Sequence, residues 1–231
     1  MKRLRAEHGF TLFEALIVMP MMLLVIGGVV DLSVRMSNWA GQKQETMAQQ
    51  SDVRAVVSTL VADLRQGYLN NGFPIKSISA TSIDFYSPDR QSPFYLREIA
   101  YQLVPTVAGG NCTSFPLAAG VTCTLQRSVK VSLQPYSDGV TFTFPATATW
   151  IDQLHTIVQF RGTLPAPLPA SVPLFSYIDD TGALYTGSDP TQVRRVVVSM
   201  AASNGAVHPS GSLQPNVFNY TDSALLRQTV S

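Results

Sequence analysis

The one formal charge in a long apolar run near the start of the chain is the carboxylate of Glu14. The run covers residues 10–30 and is 21 residues long. A charged side chain in hydrocarbon costs about 2.5–3.5 kcal/mol on insertion scales, so it is kept where a partner neutralises it. The chemistry that this residue indicates is therefore the formation of an ion pair inside an apolar environment.

The run is long enough to cross a bilayer, because a helix rises about 1.5 Å per residue and the hydrocarbon core is roughly 30 Å thick. Lys2, Arg3 and Arg5 precede the run. Asp31 and Arg35 follow the run, and their opposite charges nearly cancel. The positive-inside bias places the N-terminus in the cytoplasm. We therefore expect a single pass through a bacterial inner membrane, with most of the chain outside the cytoplasm.

A cleaved secretory signal is the competing interpretation, because it also joins a basic segment to an apolar one. Three features argue against it. The run exceeds the usual h-region of about 7–15 residues, Glu14 interrupts its start, and no small-x-small cleavage site closes it.

The basic segment and the run meet in a specific string, Gly9-Phe10-Thr11-Leu12-Phe13-Glu14, of which Phe10 is the first residue of the run. This string resembles the class III leader of type IV pilins and pseudopilins. The resemblance implies that a prepilin peptidase removes residues 1–9 by cutting after Gly9 and methylates the amine of Phe10. It also implies that Glu14 pairs with such an amine, commonly that of an adjacent subunit, so that the N-terminal helix binds other pilin or pseudopilin subunits.

The helix is expected to continue beyond the membrane, to about residue 66. Residues recur at spacings of three and four on one mostly apolar face: Leu32, Met36, Trp39, Lys43, Met47, Gln50, Val53, Val57, Leu60 and Leu64. Gly67 is a plausible stop, and the Asn-Asn-Gly-Phe-Pro string at 70–74 breaks the helix. Residues 31–69 are thus predicted to form an amphipathic continuation of the membrane helix.

From residue 70 to 231 the pattern changes to short β-type runs separated by turn residues, which predicts an antiparallel sheet. The predicted strands are 75–79, 82–86, 98–104, 122–131, 153–161, 174–178 and 194–201. The predicted turns or loops are 87–89, 107–111, 179–182 and 188–190, and the proline-rich segment 164–173 is predicted to be an extended connector. The expected fold class is α+β, a pilin-like lollipop whose long helix packs on a β-rich extracytoplasmic domain.

Parts of this domain also resemble minor pilins and J-type pseudopilins, with weaker specificity than the leader. The matching pieces are 64–67, 99–103 with 125–127, and 173–179 leading to 194–198. We use them as support for the class of subunit.

The chain has two cysteines, Cys112 and Cys123. An even number of cysteines outside the cytoplasm favours a disulfide, and a pair of buried free thiols is the alternative. Neither cysteine has the spacing partners of a zinc site.

Residues that could carry catalysis or hold a metal do not form a recognisable pattern, so neither an enzyme nor a cofactor is expected. His8, His155 and His208 are far apart, and no phosphate loop or nucleophile elbow is present. Asp179 and Asp180 could take part in a calcium site, although an Asp-x-Gly turn explains them better.

The charge balance does not indicate a DNA-binding surface. The chain has a formal net charge of +1, and residues 1–9 carry +2, so the processed chain would carry about −1. Five basic residues could form a local patch if their strands align: Arg127, Lys130, Arg161, Arg194 and Arg195. Scattered basic residues are usually solvated strand faces.

The sequence thus predicts a minor pilin or pilin-like structural subunit of a type IV pilus or related filament. A subunit of a type II secretion pseudopilus is the alternative within the same class. A membrane-anchored binding module, such as a receptor for DNA or a surface, is the alternative of another class.

Overall fold

The structure, a computed structural model, describes residues 12–67, 74–89, 95–106, 110–113, 122–135, 142–158, 173–203 and 217–226. For residues 12–15, 42, 45, 46, 156, 158, 202, 203, 217 and 218 it describes the backbone alone. One long helix and an antiparallel sheet make up these residues, which confirms the α+β class. Contacts divide the chain into two units, Met1–Met47 and Ala48–Ser231.

Helix α1 covers Leu12–Arg65 and continues through Pro20, which cannot donate a backbone hydrogen bond. It ends where the sequence predicts. The N–H of Gly67 donates to the carbonyl of Leu64 at 3.0 Å, and a Cβ at Gly67 would lie only 3.0 Å from that oxygen and 3.1 Å from Cβ of Pro74. A residue without a side chain therefore suits this close approach.

Nine strands form one sheet within the described part of the chain. Their bounds are β1 Ile75–Ile78, β2 Ser82–Pro88, β3 Tyr95–Pro105, β4 Cys123–Pro135, β5 Trp150–Val158, β6 Phe175–Ile178, β7 Leu184–Tyr185, β8 Arg195–Ser203 and β9 Val217–Leu225. A short 3-10 helix covers Pro190–Gln192. The first five strands follow one another as antiparallel neighbours. Strand β8 joins the rest, because it pairs with β5, β6 and β9.

All seven predicted strands are present, with shifted ends, but the predicted turn at 87–89 is wrong in part. Ser87 and Pro88 extend β2 and pair with Arg97 and Leu96 of β3. Proline is tolerated there because the pairing of β1 with β2 goes no further than Phe85, so no ladder bond is needed on that side. Strands β7 and β9 were not predicted.

The turn predicted at 179–182 is confirmed. The carboxylate of Asp179 accepts hydrogen bonds from the N–H groups of Thr181 and Ala183, and Gly182 has a φ of 83°. Glycine adopts that left-handed conformation without steric penalty. Residues 107–109, 159–161 and 164–172, which fall in other predicted loops and strand ends, lie outside the described residues.

One face of the sheet packs against the end of the helix to make the core. On α1 the buried residues are Val53, Val57, Leu60, Val61 and Leu64. On the sheet they alternate along the strands: Ile83 and Phe85; Ile99, Tyr101 and Leu103; Cys123 and Leu125; and Val196, Val198 and Met200. Residues at every second position of a strand point to the same face, so this alternation places these side chains on one face, against the helix. Strands β6 and β8 are also buried at consecutive positions, as Val196, Val197 and Val198 show, so both of their faces are covered.

The predicted disulfide is present and joins Cys112 to Cys123, the first residue of β4. Both residues are buried, at 1% and 0% exposure. Beside the bridge, the N–H and Oγ1 of Thr106 both donate to the carbonyl of Thr122, at 3.1 and 2.9 Å. The bridge and these bonds close the base of the connection between β3 and β4.

We predict that replacing both cysteines by alanine lowers the free energy of unfolding by about 3 kcal/mol, because the open loop gains entropy in the unfolded chain. Urea unfolding of the full chain in detergent, followed by circular dichroism, measures this. As a control, a mild reductant should leave the folded wild type unchanged, since both sulfurs are buried. Equal unfolding midpoints for wild type and variant would contradict the prediction.

Candidate functional site

The most extensive unusual surface among the described residues is the first part of α1, residues 16–47, called here the stem. Residues 16–30 of the stem are apolar on all sides of the helix, and further apolar side chains are exposed among polar ones up to Met47. The large exposed apolar residues are Leu16, Ile17, Val18, Met19, Met21, Met22, Leu23, Leu24, Val25, Ile26, Val29, Val30, Leu32, Val34, Met36, Trp39 and Met47. Soluble monomers rarely expose contiguous apolar patches of more than a few hundred Å². The stem therefore needs lipid or other protein around it.

A membrane can supply that surrounding. Residues Leu16–Gly41 form a span of 26 residues with a mean hydropathy of 2.2, long and apolar enough to cross a bilayer. None of this span is buried within the protein, which distinguishes it from the central helix of a soluble protein. The chain therefore has an N-terminal apolar helix that could serve as a membrane anchor.

The residues of the predicted processing site, Gly9 and Phe10, lie outside the described residues. Glu14 belongs to α1, but its side chain is not described. The predicted cleavage, methylation and ion pair of Glu14 therefore stay predictions.

Two contacts involve the charged residues of the stem. Asp31 and Arg35 pair at 2.8 Å between Oδ2 and Nε, one helical turn apart. Lys43 places its Nζ over the ring of Trp39, 5.5 Å from the ring centroid. Both contacts join residues four apart, the spacing at which helical side chains meet.

The second unit holds its part of α1 by a polar cluster as well as by apolar contacts. Asp63 lies at its centre: its Oδ2 accepts a hydrogen bond from the hydroxyl of Tyr101 at 2.8 Å and from Nη2 of Arg127 at 2.9 Å. Nε of Arg127 also donates to the hydroxyl of Tyr101, at 3.0 Å. We call these three residues the helix clamp, because they tie α1 to both β3 and β4.

The clamp is protected from water. The side chain of Asp63 is 13% exposed and that of Arg127 is 24% exposed. Burial and the nearby Asp63 carboxylate raise the pKa of the Tyr101 phenol far above its usual value, so it stays protonated and donates. A buried charge that loses its partner is strongly destabilising, whereas a complete cluster is tolerated.

A second polar contact ties the end of the same helix to β9. Nη2 of Arg65 donates to the backbone carbonyl of Ser223 at 2.9 Å and lies 3.5 Å from Oδ1 of Asp222. Asp63 and Arg65 are two residues apart and so point to different sides of the helix. The sheet is thus held on both sides of the end of α1.

The proposed basic patch does not form from Arg127 and Lys130. Arg127 belongs to the clamp, and Lys130 lies 3.4 Å from Glu98, the residue opposite it on β3. Residues an odd number apart on a strand point to opposite faces, so the two cations cannot share a surface. Arg194 and Arg195 lie at the start of β8, and Arg161 is outside the described residues.

Asp179 uses its carboxylate within its own turn, where it also accepts from the hydroxyl of Thr181 at 2.7 Å. These hydrogen bonds lower the pKa of the Asp179 carboxyl, that to Thr181 most of all. No cluster of three potential metal ligands occurs in the described part of the chain. The turn interpretation thus explains Asp179.

Comparisons with known proteins give no relative: no family model, no curated protein and no solved structure matches the chain. The candidate site therefore rests on its own geometry and on the sequence.

We predict that Arg127→Met lowers the free energy of unfolding by about 3 kcal/mol, because Asp63 would keep a buried charge without a cation. The matched control is Lys130→Met on the same strand, where Glu98 keeps its 2.8 Å contact with Lys76 and the loss should be about 1 kcal/mol. Thermal and urea unfolding of the full chain in detergent compare the two. Equal losses would show that the clamp has no special role.

We also predict that the protein loses stability at alkaline pH. The folded-state pKa of Tyr101 lies above the unfolded value of about 10, so its contribution is complete below that pH and is lost above it, by about 1.4 kcal/mol per pH unit. Tyr101→Phe should make the decline shallower. Tyr177→Phe should act in the same way, since burial also raises the pKa of Tyr177. Unfolding midpoints as a function of pH test this, and slopes unchanged in both variants would contradict it.

Proposed function

We propose that the chain is a pilin-like structural subunit, a minor pilin by its size, that a prepilin peptidase processes and that enters a type IV pilus or related filament through its N-terminal helix. Before assembly it is anchored in the bacterial inner membrane with its N-terminus in the cytoplasm. The observation that carries the proposal is the stem, whose residues 16–30 are exposed and apolar on every side.

The division of α1 supports this role. The stem belongs to one unit, and from Ala48 onward the same helix belongs to the other, where its apolar stripe is buried in the core. A helix that is apolar all round is normally buried in a membrane or a large protein assembly. A continuous helix can therefore be anchored in the folded domain at one end and surrounded by lipid or by other helices at the other.

The leader string supports the same proposal from the sequence. The carboxylate of Glu14 in an apolar segment requires a cationic partner, and the new amine of Phe10 on a neighbouring subunit would be one. A membrane tether for a binding module has no such requirement. This difference separates the structural subunit from the receptor for DNA or a surface.

The test is to express the chain with a prepilin peptidase and compare Glu14→Ala with Asp52→Ala, a control at an exposed position of the same helix. Mass spectrometry of the membrane fraction should show cleavage after Gly9 and a methylated Phe10 in the wild type and the control. In cells that assemble the filament, Glu14→Ala should reduce the amount recovered in sheared filaments by more than about tenfold, as expected for an unpaired amine or carboxylate in an apolar core.

Two outcomes would overturn the proposal. One is an intact leader on the functional protein, or a cleavage far downstream of Gly9. The other is unchanged function in Glu14→Ala, which is the result expected of a tether. A pilus and a secretion pseudopilus are separated by identifying the subunits that copurify with the wild type.

A further inference from the structure

The outer part of the stem carries an aromatic residue and a basic residue, Trp39 and Lys43, whose position indicates the depth of the helix in the membrane. Trp39 is 63% exposed, and the ammonium of Lys43 lies over its ring. Tryptophan is enriched where a helix passes from hydrocarbon to headgroups, because its ring is apolar and its N–H is polar. A lysine beside it can reach lipid phosphates while its methylenes stay in the apolar layer.

The apolar part of the helix is longer than a bilayer needs, so two placements are available. Residues 10–30 could fill the hydrocarbon, which takes about 20 residues. The apolar span extends on the outer side to Gly41, beyond residue 30, so a segment of about 20 residues that ends near Arg35, and thus covers residues 16–35, could also fill it.

The charges and Trp39 distinguish these placements. If residues 10–30 fill the hydrocarbon, Glu14 lies within it, and Trp39 lies about 13 Å beyond its edge, past a headgroup layer of about 6 Å. If residues 16–35 fill it, Glu14 lies at the level of the inner headgroups and Trp39 about 6 Å beyond the outer edge, within the outer headgroups.

The second placement moves Asp31 and Arg35 into the outer margin of the hydrocarbon, where two charges need a partner. Their ion pair at 2.8 Å neutralises both charges along the helix itself. Arg35 is also long enough to extend its guanidinium toward the surface. Residues 10–30 contain no basic side chain that could pair with the Glu14 carboxylate, and this placement puts that carboxylate among the headgroups, so the balance of charge favours it.

We propose that Trp39 and Lys43 form the outer membrane anchor of the unassembled subunit, with the indole among the lipid headgroups and the Lys43 ammonium on lipid phosphate. This inference rests on the proposed function only in requiring that the helix spans a membrane. It shifts the membrane segment outward, from residues 10–30 to about 16–35.

The depth of a single tryptophan in lipid vesicles tests this. Trp39 and Trp150 are the two tryptophans of the chain, so Trp150→Phe leaves Trp39 alone in the full chain. Vesicles of phosphatidylglycerol and phosphatidylcholine are prepared with lipids brominated either near the top or near the end of the acyl chain. Two controls carry Trp39→Leu and Trp150→Phe with Val25→Trp or Met47→Trp, which move the indole about 21 Å inward or about 12 Å outward along the helix.

We expect shallow bromines to quench Trp39 at least about twofold more than deep ones, as for an interfacial indole. Val25→Trp should be quenched more by the deep bromines, and Met47→Trp by neither. If the chain floats with the vesicles but Trp39 behaves like Met47→Trp, or like Val25→Trp, the proposed anchor is wrong while membrane insertion stands. If the chain does not float with the vesicles, the proposed anchor and the membrane step of the proposed function both fail.

Discussion

One helix has to satisfy two different surroundings, and the rest of the structure follows from this constraint. In residues 16–30 of the stem, apolar side chains lie on every side of the helix, so the surrounding must be apolar on every side as well. After Ala48 the apolar residues form a stripe in which Val53, Val57, Leu60, Val61 and Leu64 are buried. One face of the sheet packs against this stripe to complete the core.

Apolar contact alone would not fix how the helix lies on that face, because aliphatic stripes pack in several neighbouring orientations at similar free energy. The helix clamp removes this freedom. A rotation of the helix that moved Asp63 away from Tyr101 and Arg127 would leave a buried carboxylate without its partners, which is strongly unfavourable. Arg65 adds a second fixed point on β9. The orientation of the helix end is thus specified by polar contacts, while the burial of apolar area supplies most of the stability.

The local pattern was sufficient to predict the helix, its end at Gly67, seven strands, the turn at Asp179 and the disulfide. It missed β9 because polar residues at 219 and 221–223 interrupt the apolar residues of the segment 217–225, which becomes a strand by pairing with the buried β8. The turn predicted at Ser87 and Pro88 was wrong because both residues favour turns. In the structure they end strand β2, at positions where no hydrogen bond to β1 is required. The clamp could not be predicted, since its residues come from three elements and only the folded sheet brings Asp63 within reach of Arg127, 64 positions away.

Under the proposed function, the apolar surface of the stem also determines which interactions can drive assembly. Transfer of the stem from lipid to a bundle of other stems exchanges one apolar surrounding for another, so it gains little from the hydrophobic effect. Specificity must then come from the few polar groups of the stem, because those are the groups whose surroundings change most. Asp31 and Arg35 already satisfy each other within one helix, so they give a neighbouring subunit little to select. The carboxylate of Glu14, which lies just before the stem, has no basic side chain to pair with in residues 10–30, and a subunit that offers a cationic Phe10 amine at the matching depth is therefore the partner that it would select.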